Sequence, residues 1–162
     1  MAALTVWKFE TPDGAEQALA KVEDLVKQQL ITVQDAAWVT WPAGKKKPET
    51  HQAKSGVATG VAFGMFWGLL FGLIFLVPLF GLVWGAAVGA ISGHFKRYGI
   101  NDDFIKSVRD KVTEGTSALF LLSENATVDK VVEVFKGTKM ELIQSNLSNE
   151  QEEKLKADFG EA

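Results

Sequence analysis

The sequence predicts an α+β fold, a ferredoxin-like sandwich of two split βαβ halves that is interrupted by a glycine-zipper α-helical hairpin. The predicted elements run β-α-β, then an apolar insert, then a helix followed by β-α-β. Residues 55–93 contain no Asp, Glu, Lys or Arg, so all 17 basic and 20 acidic side chains belong to the polar remainder. The 162 residues therefore divide into 1–50, the first half of the sandwich, 51–97, the hairpin, and 98–162, the second half with a C-terminal helix.

The first half begins with a strand and an amphipathic helix. Residues 4–9 are rich in β-branched and aromatic side chains, which is typical of a strand. Thr11 and Pro12 predict a helix start, because a hydroxyl caps the first turn and proline fits the first helical position. Residues 36–41 form the second predicted strand. The basic segment 45–52 is ambiguous, and pairing back as a hairpin strand is one option.

Helices and strands alternate again after the insert. Polar side chains that cap helices mark the helix starts, and the strands lie between them. The predicted elements are a helix from Asn101 to about Thr113, a strand at 117–122, a helix after Thr127, a strand at 138–146 and a final helix after Ser148. Ser148 and Gln151 have the spacing of a capping box, in which each side chain bonds the other residue's backbone N–H.

Nine glycines recur at every fourth position of the insert, in two registers. They are Gly56, Gly60, Gly64, Gly68 and Gly72, followed by Gly81, Gly85, Gly89 and Gly93. A glycine inside a helix costs about 1 kcal/mol relative to alanine, so some other interaction must offset nine of them. Rows of small residues let apolar helices approach backbone to backbone. We therefore expect both glycine rows to be helix–helix packing faces.

Pro78 divides the insert into two predicted helices, at 54–76 and 78–95, and forms the hairpin turn. An unbroken helix over 60–91 would be roughly 45 Å long, which exceeds a hydrocarbon core of about 30 Å. The tip sequence LIFLVPLF has no polar residue to lie in the far interface. Three arrangements stay open: a hairpin that crosses the membrane, a shallow re-entrant hairpin, and tips buried against tips in an oligomer.

Basic side chains flank the hairpin on both sides. They are Lys45, Lys46, Lys47 and Lys54 before it, and Lys96 and Arg97 after it. A hairpin places both groups at one membrane face, and the positive-inside rule makes that face cytoplasmic. We expect the protein at the cell inner membrane, with its α/β domain in the cytoplasm and these side chains near anionic lipid headgroups.

Composition and motifs exclude several functions. Without cysteine the chain has no disulfide framework and no thiolate metal site, and a net charge of −3 without a clustered basic face indicates no nucleic-acid partner. The sequence lacks a phosphate-binding glycine loop and a nucleophile elbow. His51 and His94 are interpreted as interfacial residues, and Asp102 and Asp103 as favourable charges at a helix N-terminus.

The sequence therefore predicts a non-enzymatic, membrane-associated homo-oligomer without cofactor or metal, assembled through its glycine faces and contacting membrane lipid. One alternative is a pore or channel. A second is a cytoplasmic particle whose copies bury their hairpins in a shared apolar core. A third, a small-molecule binding module or enzyme on the α/β domain, would need a concave pocket with converging polar groups.

Several motifs resemble a bacterial family of uncharacterised membrane proteins, DUF1269. The motifs are DAAWVTW at 35–41, the glycine-rich hairpin with Pro78, YGINDDFIKSV at 98–108, GTSALFLL at 115–122 and LSNEQEEKLKADF at 147–159. The resemblance covers nearly the whole chain. It implies a membrane-associated protein with an α/β domain, and it supplies no catalytic residues.

Overall fold

The computed structural model describes residues 2–52, 64–76, 93 and 95–159. This part of the chain is an α+β protein built on a five-stranded antiparallel sheet. The strands are β1 Ala2–Phe9, β2 Val33–Thr40, β3 Glu49–Gln52, β4 Ser117–Glu124 and β5 Met140–Leu147. The helices are α1 Gly14–Lys27, α2 Gly64–Phe71, which continues as a π-helical turn at Gly72–Leu76, α3 Asp102–Lys111, α4 Asn125–Val134 and α5 Asn149–Phe159.

The strand order in the sheet is β3-β2-β4-β1-β5. Both β1 and β2 pair antiparallel with β4, so they run parallel to each other with β4 between them. In the same way β4 and β5 both pair antiparallel with β1 and flank it. Each of the helices α1 and α4 thus connects two parallel strands that are separated by a third. The sheet ends on one side at β5 and on the other at the four-residue strand β3.

Three local predictions are confirmed by backbone and capping geometry. The ambiguous segment 45–52 does pair back, because β3 lies antiparallel to β2 from Ala37–Gln52 to Thr40–Glu49. The Asn101 side chain accepts a hydrogen bond from the Phe104 backbone N–H at 2.9 Å, as a helix cap does. The capping box is complete: Gln151 N–H donates to Ser148 Oγ at 3.1 Å, and Ser148 N–H donates to Gln151 Oε1 at 2.8 Å.

Two predicted helix caps are wrong. Helix α1 begins at Gly14 with Asp13 in the cap position, while the Thr11 carbonyl accepts a hydrogen bond from Ser117 Oγ at 2.7 Å. Helix α4 begins at Asn125, so Thr127 lies inside it and its hydroxyl donates to the Thr32 carbonyl at 3.1 Å. At Thr127 a tertiary hydrogen bond of the hydroxyl takes the place of a local capping bond, whereas at the first helix the cap position lies two residues later than predicted, at Asp13.

Each face of the sheet is covered by its own set of helices. On one face Trp7, Phe9, Leu119 and Leu121 form a core with the apolar sides of α1 and α4. On the other face Leu4, Val6, Val39, Phe120 and Leu122 form a core with α2, its π-helical turn, α3 and α5. The alternation of side chains along a strand explains the division, because neighbouring residues point to opposite faces.

The described part of the insert therefore shares a core with the sheet. Phe66, Trp67, Leu70 and Ile74 are fully buried in that core. Residues 53–63 and 77–92 lie outside the described residues, so the division of the chain at residues 50 and 97 stays a prediction. None of the helices that the structure describes is long and apolar enough to cross a bilayer.

Candidate interaction surface of the apolar insert

One face of α2 packs on the sheet through aromatic rings. The Phe71 ring meets the Phe120 ring edge-on at a centroid distance of 4.9 Å. The Trp67 indole meets Phe120 edge-on at 6.2 Å and stacks on Phe71 at 5.9 Å. These separations and angles lie in the favourable range for aromatic pairs, so this face of the insert is a packed core surface.

A buried hydrogen bond fixes α2 on the sheet. Trp67 Nε1–H donates to Asp35 Oδ2 at 2.9 Å, and the Ala36 backbone N–H donates to Asp35 Oδ1 at 2.9 Å. The Asp35 side chain, only 5% exposed, lies beside an irregularity of β2 between Val33 and Asp35. Asp35 is in phase with Ala37 and Val39, which face the insert, so the ordinary alternation of the strand aims its carboxylate at the insert. A buried carboxylate needs such donors, because burial without them is costly.

Arg109 of α3 binds the backbone of the π-helical turn. Its guanidinium donates from Nε to the Ile74 carbonyl and from Nη2 to the Leu73 carbonyl, each at 3.0 Å. Each backbone carbonyl has two lone pairs and accepts such a bond. A planar two-pronged cation binds two carbonyls at once. The sequence analysis missed this contact, since Arg109 lies 35 residues beyond Ile74.

The glycine side of α2 faces away from the sheet. Gly68 is exposed and Gly72 is half-buried, whereas Phe66, Trp67 and Leu70 on the other side are buried. Among the described residues, no heavy atom lies within 4 Å of a Cβ atom built at Gly68. Helical periodicity explains this arrangement, because residues four apart share a face. In the row that was predicted to pack against another helix, Gly68 is exposed.

A groove of about 300 Å³ runs between this glycine surface and the edge strand β3. Its floor includes Phe71 and Phe75 of the insert, and Thr50, His51 and Gln52 of β3 line its other side. The His51 imidazole stacks on the Trp38 indole at 5.0 Å with a ring angle of 23°, and Trp38 packs on the core beneath α1 and α4, so this stack lies on the opposite face of the sheet. The groove combines an apolar floor with a helix face that lacks side chains, so another backbone can approach closely there.

The predicted packing residues are only partly within the described structure. Gly64 begins α2, Gly68 lies within it, and Gly72 begins the π-helical turn. Gly93 is exposed, and no heavy atom of a described residue lies within 4 Å of a Cβ built there. The remaining predicted residues of the hairpin, Gly56, Gly60, Gly81, Gly85, Gly89, Pro78 and Lys54, lie outside the described residues.

The predicted headgroup-binding cations lie toward different ends of the sheet. Lys45, Lys46 and Lys47 are exposed in the connection that follows Thr40. Thr40 and Phe9 both pair with Ser117, so this connection begins at the level of Phe9 in the sheet. Lys96 and Arg97 are also exposed, and they lie just before Gly99. The Gly99 carbonyl accepts a hydrogen bond from Ser145, which pairs with Leu4, so these cations lie near the level of Leu4. Five residues along β1 separate the two levels, or roughly 17 Å. A flat membrane would therefore contact both groups only if it lay along the strand direction.

Electrostatic contacts in this region are local. Lys96 forms an ion pair with Asp102 at 3.2 Å, and both side chains are about half exposed. Asp102 and Asp103 lie in the first turn of α3, as expected for acidic charges near a helix N-terminus. Among the residues that the structure describes, no group of three His, Asp or Glu side chains is placed to hold a metal ion.

A family model described as a protein of unknown function, DUF1269, matches residues 61–160, which is more than half of the chain. The chain belongs to the DUF1269 family. No curated protein and no solved structure matches it. The part that matches DUF1269 contains α2 and everything after it, including Trp67 and Arg109, while Asp35 precedes it.

Proposed function

We propose that this DUF1269 protein is a non-enzymatic, membrane-associated homo-oligomer that assembles through the glycine face of its insert. The observation that carries the proposal is the exposure of Gly68, opposite the side chains that pack on the sheet. A helix that keeps glycine on its outer side gives up about 1 kcal/mol of helix propensity at that position. Close contact with a second helix is the interaction that glycine favours.

The wider architecture of the proposal is a ferredoxin-like domain with a glycine-zipper hairpin. The strand order, with each of two βαβ units split by a third strand, supports the ferredoxin-like class. The exposed cations Lys45–Lys47, Lys96 and Arg97 support contact with anionic headgroups, with the domain on the cytoplasmic side of the inner membrane. The partners in this proposal are further copies of the chain and membrane lipid.

A cytoplasmic particle is the second candidate. The burial of Phe66, Trp67, Leu70 and Phe71 against the sheet favours it, because this burial hides apolar surface of the insert from water without lipid. In such a particle the glycine faces of many copies would meet in a shared apolar core. A pore is a third candidate, and a specific structural observation in its favour is lacking among the described residues.

The test is a substitution on the glycine face. Gly68→Leu adds a side chain at an exposed position, so we expect the fold to persist and the oligomer to lose mass. Ala20→Leu is the matched control, since Ala20 is exposed on α1 and far from the insert. Light scattering after size exclusion, with and without detergent, reports the mass, and flotation with vesicles reports membrane binding.

The outcomes separate the candidates. Flotation of the wild type together with a smaller Gly68→Leu assembly supports the membrane oligomer. A large species that forms without detergent and never floats favours the particle. An unchanged mass for Gly68→Leu, equal to that of Ala20→Leu, rejects assembly through this face.

A further inference from the structure

We infer that a second site, a cleft on the α1 and α4 side of the sheet, binds a medium-chain carboxylic acid. The cleft has a volume of about 260 Å³. Its lining includes Phe9, Gly14, Ala18, Lys21, Phe135 and Lys139. The insert covers the opposite face of the sheet, so this site is independent of the glycine surface.

Two buried aromatic rings make the floor of the cleft. The rings of Phe9 and Phe135 meet edge-on at 5.7 Å with an angle of 82°, and Trp7 meets Phe135 from behind at 5.7 Å. Phe9 is 4% exposed and Phe135 is 1% exposed. The floor is therefore rigid and apolar. Pockets that bind the hydrocarbon part of a ligand are lined by such side chains.

Gly14 brings the start of α1 close to this floor. A Cβ atom at Gly14 would lie 2.6 Å from Phe9 Cβ, which no real side chain tolerates. On the other wall Gly137, with φ of +89°, turns the chain after α4. A left-handed residue at a helix C-terminus redirects the chain sharply, and here it brings Thr138 and Lys139 to the cleft.

The rim of the cleft carries two exposed lysines. Neither Lys21 nor Lys139 forms an ion pair with another described residue. The acidic side chain at the rim, Glu10, is already paired with Lys8 at 2.8 Å. An apolar floor beneath two exposed ammonium groups is complementary to a molecule with an apolar tail and a carboxylate head.

The volume of the cleft sets the size of the ligand. An apolar cavity of about 150 Å³ holds benzene, with its six carbons. By proportion, this cleft holds about ten non-hydrogen atoms. Octanoate has that number, and its tail would lie on the phenylalanine rings with the carboxylate between the lysines.

The test is isothermal titration of the full chain with octanoate, below the concentration at which octanoate forms micelles. We expect saturable binding of one octanoate per chain. Replacing Lys21 and Lys139 together by Gln should weaken binding about twofold to thirtyfold, as two rim charges are lost. The double variant Lys27→Gln with Lys136→Gln is the matched control, because both side chains are exposed outside the cleft.

Two further measurements locate the bound molecule. Ala18→Leu fills the cleft from α1, so it should abolish octanoate binding while thermal unfolding confirms that the variant is folded. The neutral analogue 1-octanol should bind more weakly than octanoate. The proposal would be overturned if octanoate still bound both to the Lys21→Gln, Lys139→Gln double variant and to Ala18→Leu. It would also be overturned by equal affinity for octanoate and 1-octanol, or by the absence of saturable binding.

Discussion

Tyr98 shows how one residue ties the chain after the insert to the C-terminal helix. Its ring is fully buried, and its phenol is hydrogen-bonded to the Asp158 carboxylate of α5. Burial raises the pKa of the Tyr98 phenol well above its ordinary value near 10, and the Asp158 hydrogen bond and charge raise it further. The fold therefore stabilises the neutral phenol and opposes its ionisation.

We expect the folded protein to become less stable above pH 10 because of this residue. The folded-state pKa lies above the unfolded one, so the contribution is complete below about pH 10 and is lost as the pH rises through the folded value. Tyr98 is the only tyrosine, so phenolate absorbance near 295 nm reports it alone. The Tyr98 phenol should ionise at a higher pH in the folded protein than in the protein unfolded by denaturant.

Two variants control this measurement. Tyr98→Phe should abolish the absorbance change and flatten the alkaline loss of stability. Asp158→Asn should lower the pKa of the Tyr98 phenol in the folded protein, but should not return it to its ordinary value, because burial is the larger cause of the shift. Equal titration of folded and denatured protein would contradict the buried position of this side chain.

At the scale of one element, the apolar segment Gly64–Leu76 depends on a polar contact from a neighbouring helix. Arg109 satisfies the carbonyls of Leu73 and Ile74 where this segment reaches its π-helical turn. The apolar side chains of the segment cannot donate hydrogen bonds to these carbonyls, whereas the guanidinium can. The contact therefore couples α3 to the insert.

Arg109→Gln should destabilise the protein by about 1–2 kcal/mol, since hydrogen bonds from a charged donor are lost at a half-buried site. Arg109→Lys should restore only part of this loss, because one ammonium does not reproduce the two-pronged geometry. Chemical denaturation measures each free energy of unfolding. Lys106→Gln, an exposed change on the same helix, should leave it nearly unchanged. Equal effects at positions 106 and 109 would contradict a role of Arg109 in binding the turn.

At the scale of the whole molecule, the sheet has a core on each face, and the insert belongs to one of them. Phe71 contributes to the core beneath α2, and Leu19 contributes to the core beneath α1. The strands are common to both cores. Loss of packing on either face should therefore destabilise the same folded unit.

Phe71→Ala should lower the free energy of unfolding by about 3–5 kcal/mol, and Leu19→Ala by about 2–5 kcal/mol. Both variants should unfold in a single transition that tryptophan fluorescence and circular dichroism report alike. Leu30→Ala is the control, because Leu30 is 49% exposed. If the insert were energetically separate from the sheet, Phe71→Ala would leave the main transition where it is in the wild type.

Local chemistry explains which predictions held. The caps at Asn101 and Ser148 were predictable because each satisfies a backbone N–H only three residues away. Thr127 has the same local signal, yet its hydroxyl donates to the Thr32 carbonyl, 95 residues distant in the chain. Asp35 and Arg109 gave no local signal for their partners, since each partner lies more than 30 residues away.

The sequence by itself determined the order of strands and helices, the apolar character of the insert and the spacing of its glycines. Only the tertiary structure decided what covers the inner side of that insert, namely the rings and aliphatic side chains of a sheet face. The physical reason is that the hydrophobic effect is not directional. A sequence shows that Phe66, Trp67 and Phe71 avoid water, whereas the geometry of the fold selects the surface on which they do so.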